Sequence, residues 1–122
     1  MVQPPHPWTV ADYLASNGET PIVTFLTGLD GRNKQQAAAL LALLRDRGNA
    51  LRPPQSKMVE TGLFELRGHQ VRIFYVFRPG RRIVLLDGLV KKQDEIPKEV
   101  LKRIRLMRQA VEAADRHAAG GP

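Results

Sequence analysis

Gly62-Leu63-Phe64-Glu65-Leu66-Arg67, then Val71-Arg72-Ile73-Phe74-Tyr75-Val76-Phe77, then Ile83-Val84-Leu85-Leu86 and Gly88-Leu89-Val90-Lys91-Lys92 decide the fold of this chain. These runs are strand-like, and Gly68-His69-Gln70 and Pro79-Gly80-Arg81 are turn sequences between them, which predicts an antiparallel meander. Each carries fixed cations among residues that otherwise belong in a core. A cation inside an apolar strand is costly unless it faces a cleft or an anion. Arg67, Arg72 and the Lys91-Lys92 pair therefore read as the lining of an anion site, and nucleic acid is the obvious large anionic partner.

Outward from the meander, a further strand is expected at about 57–60, beyond the break at Pro53-Pro54. Trp8 to Leu14 has aromatic and β-branched content with period-two character and predicts an N-terminal strand. Thr20-Pro21 is a helix start, with Thr20 as N-cap and Pro21 at the first helical position, and Ile22, Phe25, Leu26 and Leu29 share one face. A second helix is predicted from about Asn33 to Arg47, with Gly48 as C-cap. Pro97 opens a third, to about His117, with Val100, Ile104, Met107, Val111 and Ala114 on one face and Lys98, Lys102, Arg105 and Arg116 on another. Residues 1–7, with three prolines, read as a flexible arm, and 118–122 as a frayed tail. The fold class is α+β: an N-terminal strand and two helices, an antiparallel meander sheet and a C-terminal helix. The helices are expected on one sheet face, leaving the other open and concave, with Arg67 and Arg72 close together.

At 122 residues and 43% hydrophobic content, one domain is expected, over 8–117. No cysteine is present, which excludes disulfides, thiolate catalysis and cysteine-bound metal clusters. No other cofactor or metal is expected, since Asp87 has no second carboxylate or histidine at ligand spacing. No apolar run approaches the roughly 20 residues of a membrane span, and no signal peptide is read at the N-terminus, so a cytoplasmic location is expected. The charge of +7 is uneven: residues 1–61 hold six Lys or Arg against five Asp or Glu, and residues 62–122 hold thirteen against seven. Basic asymmetry of this kind favours a polyanionic partner without choosing between RNA, DNA, a ribosome and an acidic protein.

The order of elements, with Gly62-Leu63-Phe64-Glu65-Leu66-Arg67, Arg72-Ile73-Phe74-Tyr75, Ile83-Val84-Leu85-Leu86-Asp87-Gly88 and Lys91-Lys92-x-x-x-x-Pro97, resembles the RelE/HigB superfamily of bacterial toxins, and within it the phage-derived, HigB-like branch. The resemblance covers about residues 8–112. It implies a type II toxin–antitoxin toxin: an endoribonuclease that cuts messenger RNA on the ribosome, without a metal, and is inhibited by a helix-turn-helix antitoxin. The implied chemistry is attack of a ribose 2′-hydroxyl on the adjacent phosphate, a reaction that gains most from cations around the charged phosphorane. By resemblance, Arg72 contacts the scissile phosphate, Lys91 is the basic residue after the last strand, Arg67 ends the neighbouring strand, and Lys57 precedes the Glu-Leu-Arg strand.

Each residue also has a plainer reading. Arg67 and Arg72 could be strand cations reaching solvent, and Lys91 and Lys92 a solvated pair, with Lys92 the phosphate contact of the two. Phe74 falls on the same face as Arg72, so base stacking and core packing are both open. Tyr75 reads as a core residue, and Glu65 as an ion-pair partner of Arg67. The sequence departs from the family pattern at the proton-transfer position: Pro97 falls about where a tyrosine would stand, and no histidine lies near Lys91 along the chain, so Lys91 is the expected cation and a candidate proton-transfer group. Two other functions fit the same sequence: a non-catalytic RNA- or ribosome-binding protein, and a prophage regulatory protein.

Overall fold

Every residue from Val71 to Val76 is buried, although side chains on a strand alternate between two faces. A strand buried on both sides must be covered on both sides, and that single fact sets the architecture. The structure is a computed structural model describing residues 8–120; the expected arm at 1–7 and the last two residues of the expected tail lie outside the described residues.

The sheet has five strands: β1 (Thr9–Asp12), β2 (Ser56–Glu60), β3 (Leu63–Arg67), β4 (Val71–Arg78) and β5 (Arg82–Val90), in the order β1-β5-β4-β3-β2. β1 runs parallel to β5, and all other pairs are antiparallel. The helices are α1 (Pro21–Thr27), α2 (Gly31–Arg47) and α3 (Lys98–Gly120), so α3 continues past its expected end at His117. The α+β class and element order agree with the sequence. The expectation of helices on one face does not hold. α1 and α2 bury Ile22, Leu40 and Leu44 against Leu66, Ile73, Tyr75, Ile83 and Leu85, whereas α3 buries Ile104, Met107 and Val111 against Leu63, Phe74, Val76, Val84 and Leu86 on the other side. An open concave face would have left those five sheet residues in water, at a cost of roughly 1.5–3 kcal/mol for each large apolar side chain.

Local chemistry fixes the helix ends. α2 starts at Gly31, two residues before the expected Asn33, because Asp30 caps it: Asp30 Oδ1 accepts the Asn33 backbone N–H at 2.8 Å. Thr20 occupies the N-cap of α1, but its hydroxyl makes no capping bond. Gly48 ends α2 at φ 51°, and a Cβ there would strike the Trp8 indole, so glycine is needed twice over. Trp8 in turn packs on Phe77, 5.3 Å between ring centroids, and carries the Arg81 guanidinium over its ring.

α3 is pinned by charge around its apolar stripe. Arg78 and Arg82, at the two ends of the β4–β5 turn, donate to Asp115 at 2.5 and 2.7 Å. Arg103 donates to Asp87 at 3.1 Å, and Arg105 to Glu60 at 2.7 Å. Asp87 faces α3 because of a bulge: Tyr75 pairs with Leu85 but Phe74 with Asp87, so Leu86 is an extra residue. Past it, Gly88 faces α1, where a Cβ would meet the Phe25 ring. Among the described residues, no helix is long and apolar enough to cross a membrane.

Candidate anion-binding site

β3 and β4 join through Gly68, His69 and Gln70, and this short turn sets their register. Arg67 pairs with Arg72, and Glu65 with Phe74. The proximity of the two arginines expected from the sequence is therefore realised directly across the strands, on the α3 side of the sheet. Two like charges at directly opposed positions repel, so something must hold them there.

Arg72 is 7% exposed. Its Nη1 donates to the carbonyls of Gly68 at 2.8 Å and Val71 at 3.0 Å, so the guanidinium is oriented by the turn beside it. Burial lowers its pKa and neighbouring Arg67 lowers it further, while Glu65 and Asp94 act the other way. Arginine nevertheless keeps its charge at any working pH.

Arg67 is half-buried, with its side chain 35% exposed, and its Nε lies 3.5 Å from Glu65 Oε1. The expected pairing with Glu65 is present but poorly aligned: Arg67 Nε is buried without a hydrogen-bond partner. An unfilled buried donor costs about 1–3 kcal/mol, and unsatisfied buried donors are uncommon in folded proteins. Nε itself is closed to solvent, so the exposed part of the Arg67 side chain is what an incoming anion meets first.

Lys91 follows β5. Its backbone N–H donates to Gln70 O at 2.6 Å, and its Nζ lies 3.0 Å from Asp94 Oδ1. The Asp94 side chain is 96% exposed, yet its carboxyl is held below the usual carboxylate value by the Lys91 hydrogen bond first, then by the Lys91 charge, with Arg67 and Arg72 contributing. Three cations and one exposed carboxylate thus share a single patch at the end of the sheet. Asp94 was not singled out from the sequence; its only signal is the i, i+3 spacing from Lys91.

The remaining expected residues divide. Lys57 is exposed on β2 directly opposite Glu65, at the rim of the patch. Lys92 is exposed and lines a separate groove of about 310 Å³ with Leu89, Glu95 and Val100. Phe74 requires a correction: it is 0% exposed and packed under α3, so its ring presents no face to a base. It shares a strand face with Arg72, as expected, but that face is covered. Tyr75 is buried on the opposite side, its hydroxyl 2.9 Å from Ser56 Oγ. The sequence put no histidine near Lys91; in space the turn carrying His69 lies against it, through the Gln70–Lys91 backbone bond. Among the described residues, His69 is exposed, and no cluster of three or more His, Cys, Asp or Glu stands together that could hold a metal ion. A groove of about 530 Å³ between α1 and α3 includes none of the three cations.

The arrangement suits a phosphate: a buried, oriented guanidinium, a second guanidinium that is partly exposed, and an ammonium on a flexible stem. Among curated proteins, none matches the sequence significantly. Among solved structures, the chain is similar to one from the RelBE2 toxin–antitoxin complex of Mycobacterium tuberculosis, at 17% identity and a TM-score of 0.45, covering 71% of this chain and 94% of that one. The model of a phage-derived protein family matches residues 24–109, a span holding α2, the four-strand meander, all three cations and most of α3; the chain belongs to the phage derived, Gp49-like family of proteins (DUF891).

Proposed function

We propose that this protein is the toxin of a type II toxin–antitoxin pair and cuts messenger RNA on the ribosome, with a helix-turn-helix antitoxin as its inhibitor. The observation that carries the reading is the cross-strand pair Arg67–Arg72, whose buried, unfilled Nε sits beside a buried guanidinium. The strings that resemble the RelE/HigB toxins contain this pair. The reaction is transfer of a phosphoryl group within the RNA: the ribose 2′-oxygen forms a bond to the adjacent phosphorus and the bond to the 5′-oxygen breaks. The products are a 2′,3′-cyclic phosphate and a 5′-hydroxyl, with one proton leaving the 2′-hydroxyl and one delivered to the 5′-oxygen.

In this reading Arg72 binds a non-bridging phosphate oxygen, Arg67 a second, and Lys91 swings from Asp94 to the charge that develops on the phosphorane. No metal takes part. Lys57 and Lys92 contact flanking phosphates. Lys91 is a candidate for proton transfer, and His69, in the turn against it, is a second.

A non-catalytic RNA- or ribosome-binding protein is the second reading. What favours it is that His69 is exposed and makes no hydrogen bond among the described residues, so no histidine is fixed at the cations for proton transfer. Translation in vitro with primer extension on the messenger separates the two. Cuts at defined codon positions, absent with Arg72→Ala, are the expected result. Stalled ribosomes on intact messenger would establish the binder, and untouched translation would remove both.

A further inference from the structure

The cations of the anion patch are mounted on one turn, and that turn is held from the opposite face of the sheet. Gly68 N donates to Val71 O at 3.0 Å, closing the hairpin. Gly68 O and Val71 O both accept from Arg72 Nη1. Gln70 O accepts from the backbone of Lys91. Two further backbone donors of the turn, Gln70 N and Val71 N, reach across to a single atom, Gln36 Oε1, at 3.3 and 3.2 Å. Gln36 lies on α2, which packs against the face away from α3, 34 residues before Gln70.

We propose that Gln36 is a positioning residue of the anion site: by taking the Gln70 and Val71 backbone donors of the turn, it fixes the carbonyls that orient Arg72 and the backbone that places Lys91. A second observation comes from the other side of the contact. A Cβ on Gly68 would sit 2.7 Å from Gln36 Cγ and closer still to its amide group, so the bare glycine leaves the space that Gln36 enters. Val71 is fully buried, so with Gln36 gone its N–H either stays unpaired or shifts the turn towards water. A shift of the turn carries Arg72 and Lys91 with it.

The consequence for ligand binding rests on the anion-site reading above; the consequence for Arg72 does not. The experiment therefore has two arms, using the full chain with Gln36→Leu, Gln36→Glu and Gly68→Ala. The first measures proton exchange of the Arg72 side-chain N–H groups by NMR, without ligand. Gln36→Leu and Gly68→Ala should speed it at least tenfold, while Gln36→Glu, which keeps an acceptor oxygen in place, should stay near wild type. Unchanged exchange in folded Gln36→Leu, or Gln36→Glu behaving like Gln36→Leu, would overturn the proposal, because a purely packing role does not distinguish leucine from glutamate in that sense. The second arm titrates a short all-2′-deoxy oligonucleotide, which cannot be cut. Affinity should fall about fivefold to tenfold in Gln36→Leu and Gly68→Ala and recover in Gln36→Glu. A wild-type protein that does not bind the oligonucleotide would sink the anion-site reading and leave the exchange arm to decide the role of Gln36.

Discussion

Arg67 and Arg72 face one another in register across β3 and β4, one guanidinium buried and hydrogen-bonded to its own turn, the other with a buried Nε that nothing fills. Like charges placed this way do not help a protein fold. Glu65 at 3.5 Å and Asp94 offset part of the repulsion, and a bound phosphate would offset far more.

Arg72→Ala should abolish cleavage and leave the fold. Losing one charge contact made in the transition state is worth on the order of 3 kcal/mol, roughly a hundredfold in rate. Single-turnover cleavage on programmed ribosomes measures it, with circular dichroism confirming a cooperative melt. A folded Arg72→Ala that cuts at the wild-type rate would remove this arginine from the mechanism.

Asp94→Asn should bind RNA more tightly. The carboxylate stands 3.0 Å from Lys91 and must give up that cation to an incoming phosphate. Removing it should raise affinity by about twofold to fivefold, the scale of an exposed ion pair, and the gain should shrink as salt screens it. Fluorescence anisotropy at low and moderate salt reports both. A weaker-binding Asp94→Asn would mean that the pair orients Lys91 rather than competing for it.

Phe74→Ala should cost stability, not stacking. The ring is fully enclosed by α3, and its loss should destabilise by about 3–5 kcal/mol, read as a lower denaturation midpoint. Phe74→Leu keeps most of the volume and should bind RNA like wild type. A folded Phe74→Leu with selectively lost RNA affinity would return the ring to the binding surface.

Asp115→Asn should lower stability at neutral pH and leave it unchanged in acid. Hydrogen bonds from Arg78 and then Arg82 hold the Asp115 carboxyl below its usual 3.8. A depressed carboxyl pKa stabilises the fold fully above the unfolded value and loses that contribution as pH falls through the folded one. Wild type should therefore exceed Asp115→Asn by about 1 kcal/mol at neutral pH. The gap should close below the usual carboxylate range, as thermal melts from pH 7 to pH 2 would show. A constant gap would assign the effect to packing.

Local physics wrote much of this protein into its sequence. The short turn at Gly68-His69-Gln70 sets the register that puts Arg67 opposite Arg72, and Pro21, Gly48 and Pro97 mark helix boundaries through backbone chemistry alone. The strand-like runs of β3 to β5 and the apolar stripe of α3 were equally legible. Which sheet face α3 would cover was not. Along β4 apolar residues fall on both faces, so the period of two names no buried side, and an amphipathic helix declares that it has an apolar face without saying what will meet it. Only packing decided that Phe74 is core, and only the extra residue Leu86 turned Asp87 towards Arg103. Gln36 under the turn and Asp94 over Lys91 belong to the same class. Their partners are set by how α2 and the 91–97 segment come to rest on the sheet, and polar contacts of that kind leave no periodicity in a chain.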